Sequence, residues 1–92
     1  RSAILINNGI DTTTNVNVSL RLNSASSTVG ISSTTEMMIS NDSAFSGALW
    51  EIYSTIKSWT LTAGAGLKTV YARFRNAAGV ISNTFSDDIT LQ

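Results

Sequence analysis

The chain has 92 residues, 42% of them hydrophobic and 13% charged, with a formal net charge of zero and no histidine, cysteine or proline. A chain of this length buries roughly 60% of its unfolded surface, which serves one core and not two, so residues 1–92 read as a single domain. The sparse charge leaves a hydroxyl and amide surface without the basic stripe that neutralises phosphates, which excludes nucleic acid as a partner, and no apolar run reaches the roughly 18 residues of a membrane span.

Period-two alternation dominates the chain, and each run of it reads as a strand. A first short strand is expected at 3–6, followed by the turn Asn7-Asn8-Gly9. The clearest strand is 16–22, where Val16, Val18, Leu20 and Leu22 alternate with Asn17, Ser19 and Arg21. A turn over 23–33 leads to a strand at 35–40, in which parity places Met37 and Ile39 inside and Met38 outside, near Tyr71 or Leu5. After the polar turn 41–47 come a short edge strand at 50–52 and a strand at 57–61 that puts Trp59 in the core. The Gly-containing turn 63–66 precedes a central strand at 70–74, with Val70, Ala72 and Phe74 on one face and Tyr71 and Arg73 on the other. The turn 76–79 and a last strand at 85–91 complete seven strands. Strands at this spacing, with no helix between them, predict an antiparallel sandwich with 16–22 and 70–74 facing each other across the core.

The order of several stretches carries a resemblance over nearly the whole chain. They are Ile6-Asn7-Asn8-Gly9, 16–22, 37–42, Trp50-Glu51-Ile52-Tyr53, Lys57-Ser58-Trp59-Thr60-Leu61, 68–75, Asn76-Ala77-Ala78-Gly79 and 86–91. The chain resembles a bacterial Ig-like, or fibronectin type III-like, repeat of large secreted or cell-surface proteins. It departs from that pattern where Asn76 replaces a common aspartate, Val80 an asparagine and Ile52 a proline. The resemblance implies a seven-stranded antiparallel immunoglobulin-like β-sandwich and a setting beside adhesins, surface-layer proteins or polysaccharide-degrading enzymes. It implies no catalytic residue and no cofactor. Opening on Arg1, the chain reads as a module excised from a larger protein, with its targeting signal elsewhere.

Catalysis fails on inventory. Without histidine or cysteine, neither a Ser-His-Asp relay, nor a thiolate nucleophile, nor a conventional zinc site is available. A glycosidase pair would need two carboxylates across a cleft, which a sandwich of this size seldom offers. Calcium is the metal that Asn41-Asp42-Ser43 and the adjacent Asp87-Asp88 would suit, since hard cations take carboxylate and carbonyl oxygens. Asp42, Asp87 and Asp88 are therefore the metal candidates, although they lack the alternating spacing of a dedicated calcium loop, and Asp42 also reads as a turn former.

Flat rings stack on sugar faces, which makes Trp50, Tyr53 and Tyr71 the candidate ligand-binding residues. An intramolecular lysine–asparagine amide bond would draw on Lys57 or Lys68 with Asn83 and Glu36, and Asn41 heads a glycan-acceptor triplet. The leading expectation is a non-enzymatic spacer module of an extracellular or cell-surface microbial protein. Its partners would be neighbouring domains of the same polypeptide. The alternative is an adhesion module that binds carbohydrate or a surface protein through the three rings.

Overall fold

The computed structural model describes residues 3–24 and 30–92, so the middle of the turn expected at 23–33 lies outside the described residues. Its strands are β1 (Ile4–Ile6), β2 (Thr12–Thr13), β3 (Asn17–Leu22), β4 (Thr34–Ser40), β5 (Glu51–Ile52), β6 (Ile56–Thr60), β7 (Gly66–Asn76) and β8 (Phe85–Leu91), with one 3₁₀ turn at Asn7–Gly9. They form two packed sheets, one of three strands in the order β1-β3-β6 and one of five in the order β2-β8-β7-β4-β5.

The expected seven strands are present as β1 and β3 to β8, but the expected count and the all-antiparallel pairing are both corrected. An eighth strand, β2, pairs in parallel with β8, Thr12 beside Thr90 and Thr13 beside Leu91. Two threonines have β propensity but carry no apolar alternation, so no side-chain period marks the strand. Their pairing is made by backbone alone as the chain leaves the first sheet for the second.

Alternation builds the core directly. In β3, Val18, Leu20 and Leu22 are buried while Asn17, Ser19 and Arg21 are exposed. In β7, Val70, Ala72 and Phe74 are fully buried, and they meet the β3 row together with Met37 and Ile39 of β4. Burying a side chain such as Phe74 contributes about 2–3 kcal/mol, so these facing rows are the main favourable term of the fold.

Tyr53 closes one end of the sandwich. Its backbone N–H donates to Thr35 O in the five-stranded sheet, while its hydroxyl donates to Leu22 O in the other, at 3.0 and 3.1 Å. Asn23 N–H donates to Ala3 O at that same end. Leu91 lies at the other end, opposite Gly66, where β7 begins. The chain therefore enters at one end and leaves at the other, along a body whose longest extent is 41 Å.

One side of the sandwich is guarded by charge. Glu51 sits opposite Met37, and Lys57 opposite Leu20, so both point inward from the edge strands β5 and β6. Lys57 Nζ reaches Glu51 Oε1 at 2.9 Å and lies 5.9 Å from the Trp59 ring centre. Inward charge on an edge strand discourages pairing with another chain, a protection that here takes the place of proline.

Candidate functional site

The outer face of the five-stranded sheet carries the densest chemistry of the described residues. Register places Tyr71, Arg73 and Arg75 of β7 opposite Ser40, Met38 and Glu36 of β4 on that face. The segment between β4 and β5 folds across them. Phe45 is 6% exposed and adopts a left-handed φ of 54°, a conformation costly for a bulky residue and compensated by burial of its ring. Gly47 and its own left-handed φ of 72° help the segment turn back.

A row of alternating rings and guanidiniums results. The Arg73 guanidinium lies 4.4 Å from the Phe45 ring centre and 5.7 Å from that of Trp50, and Arg75 lies 4.3 Å from Trp50. Phe45 meets Tyr71 edge to face with centres 6.4 Å apart. Arg73 Nη2 donates to Met38 Sδ at 3.4 Å, whereas Arg75 Nε and Nη2 both donate to Glu36 Oε1, at 2.9 and 2.6 Å. Among the described residues Arg73 has no carboxylate partner, and its buried Nε has no hydrogen-bond acceptor. Cation–ring attraction, about 0.5–1 kcal/mol per contact near a surface, compensates instead.

The outward placement expected for Met38 does not leave it exposed. Parity rightly sets it on the outer face, but it is only 7% exposed because Arg73 and the loop above cover it.

The three ring candidates do not form one platform. Trp50 and Tyr71 share the outer face, separated by Arg73 and Phe45, and both are partly buried by these neighbours. Tyr53 turns the other way, edge to face with core Phe74 at 5.9 Å, while its hydroxyl also accepts from Ser24 N–H at 3.1 Å. A sugar stacking on all three at once has no common plane to meet.

Nor do the calcium candidates converge. Asp42 Oδ1 accepts from the backbone N–H of Ala44 and Ser46, at 2.8 and 3.3 Å, which makes it a turn former. Asp87 and Asp88 are consecutive strand residues and so point to opposite faces. Asp87 turns inward and its Oδ2 accepts from Ile6 N–H at 2.8 Å, linking the two sheets. No group of three or more acidic, histidine or cysteine side chains that could hold a metal occurs among the described residues.

The amide-bond set is dispersed as well: Lys57 pairs with Glu51, Lys68 Nζ donates to Thr62 Oγ1 and Ala63 O, and Glu36 belongs to Arg75. Asn41 is a cross-sheet clamp rather than a free acceptor. Its Nδ2 donates to Thr60 O at 3.1 Å and its Oδ1 accepts from Trp59 Nε1 at 2.8 Å.

Sequence reasoning missed Phe45 altogether, because a lone aromatic in a polar turn cluster gives no sign of which surface it will cover. The one available signal was its position just ahead of Gly47. Comparisons with protein-family models, with curated proteins and with solved structures give no match.

Proposed function

We propose that this chain is a non-catalytic immunoglobulin-like module, of the fibronectin type III-like kind, that spaces and orients its neighbours in a secreted or cell-surface microbial protein. One observation carries the reading. Ala3 and Leu91 lie at opposite ends of a 41 Å body, so units joined through them continue in line instead of folding back.

The connectivity supports the immunoglobulin part of the reading. With β1, β3 and β6 as strands A, B and E, and β4, β5, β7 and β8 as C, C′, F and G, each sheet has the strand neighbours of that fold. The side chains with reactive potential support the non-catalytic part. Each of Glu36, Asp42, Glu51 and Asp87 is bonded to a guanidinium, an ammonium or the backbone.

The test is solution scattering from two copies fused head to tail. A maximum dimension approaching twice the 41 Å of one unit is expected. A pair that folds back side by side, or saturable glycan binding that disappears in Trp50→Ala and Tyr71→Ala, would place the chain among binding modules instead.

A further inference from the structure

The turn between β1 and β2 has an unusual backbone. Asn7, Asn8 and Gly9 are three consecutive residues with left-handed φ, at 47°, 61° and 86°. Asparagine tolerates that region better than most residues and glycine enters it freely, but a run of three is locally strained. Its closing hydrogen bond, from Ile10 N–H to Asn7 O, is stretched to 3.5 Å. Opening this turn disturbs no buried side chain, since the turn contains none.

Asn8 is set apart from the other asparagines. Asn7, Asn15, Asn17, Asn41 and Asn76 each have a side-chain oxygen that accepts a hydrogen bond from the protein. Among the described residues no protein group bonds the Asn8 side chain, and both Asn8 and Gly9 are exposed. Asn8 is also the one asparagine followed by glycine. With no Cβ at position 9, nothing shields that residue's backbone nitrogen from the Asn8 carboxamide. Asn83 has a free side chain too, but β-branched Thr84 follows it and crowds the attacking nitrogen.

We propose that Asn8 is a site of spontaneous covalent modification, converting to aspartate and isoaspartate through a cyclic imide. The Gly9 backbone nitrogen attacks Asn8 Cγ and gives up its proton. The new C–N bond closes a five-membered ring, the Cγ–Nδ2 bond breaks and ammonia leaves. Water then opens either imide carbonyl, yielding aspartate or the isomer in which the main chain runs through the side-chain carbon.

The surroundings favour the charged product. Asn8 lines a shallow cavity of about 230 Å³ that it shares with Arg21, and Arg21 has no carboxylate partner among the described residues. A carboxylate at position 8 would put the opposite charge on the same cavity wall. The conversion makes a neutral chain anionic, and its isomerised form lengthens the link through which the chain passes from one sheet to the other.

The experiment incubates the folded protein at mildly alkaline pH in heavy-oxygen water and maps peptides by mass spectrometry, with isoaspartate scored by an isoaspartate-specific methyltransferase. Label and isoaspartate are expected at position 8 while the other asparagines remain intact, and Asn8→Gln is expected to carry neither. Because the turn opens locally, the folded rate is expected within about tenfold of that of the urea-unfolded chain. Equal conversion at several asparagines, or a folded rate suppressed so that reaction tracks global unfolding, overturns the proposal.

Discussion

Removing the Tyr53 hydroxyl separates a structural role for this residue from a ligand-binding one. Tyr53→Phe keeps the ring against Phe74 but deletes the group that donates to Leu22 O and accepts from Ser24 N–H, both at 3.1 Å. Each such bond contributes about 0.5–1.5 kcal/mol net. Since Tyr53 and Ser24 are only partly buried, water can replace some of the loss, which sets the combined cost at about 1–2 kcal/mol. For a domain of this size that lowers the melting temperature by roughly 5–15 °C. Urea titration and calorimetry measure it, and the denaturant slope should stay unchanged because the surface exposed on unfolding is the same. A melting temperature equal to that of the parent would show that the two bonds do not clamp the end of the sandwich.

The outer-face row makes a second prediction: a double-mutant cycle on Trp50→Ala and Arg75→Ala should show a stabilising coupling of about 0.5–1 kcal/mol, read by denaturation, whereas additive losses would mean that the stacking is only proximity. At the open edge, Lys57→Val should change stability by no more than about 1 kcal/mol, because the ion pair is partly solvated. The same variant should self-associate at concentrations where the parent sediments as a monomer, and sedimentation identical to the parent would remove the protective role of the inward charge. Phe74→Ala should cost about 3–5 kcal/mol by leaving a cavity between the sheets, and near-parental stability would contradict its placement at 0% exposure.

Legibility in the sequence followed the kind of interaction involved. β3 and β7 could be read from alternation because each has one face in the core, and side-chain period then reports backbone geometry. β2 could not, since its two threonines pair through backbone groups that every residue possesses. Trp59, expected in the core, faces inward but is only partly buried against it, and the bond from its indole to Asn41 depends on β6 converging with the end of β4 in the other sheet. The direction of Tyr53 was equally closed to sequence reasoning. It follows a two-residue strand, too short for parity to declare a face. Asp87 and Asp88 are the opposite case: they were offered together as metal candidates, although the strand expected at 85–91 already sends consecutive side chains to opposite faces.

The parallel pairing of β2 with β8 also bears on how the domain answers tension. A pull applied at the two termini draws β2 toward the entry end and β8 toward the exit end. Two parallel strands pulled in opposite directions along their length load their hydrogen bonds together, in shear, instead of peeling them one by one. The bonds from Thr90 N–H to Asp11 O and from Gln92 N–H to Thr13 O, each 2.9 Å, lie in that path. Single-molecule pulling should therefore find a higher rupture force through the termini than across the sheet, and Thr13→Pro should lower the terminal value by disturbing the shear-loaded pair.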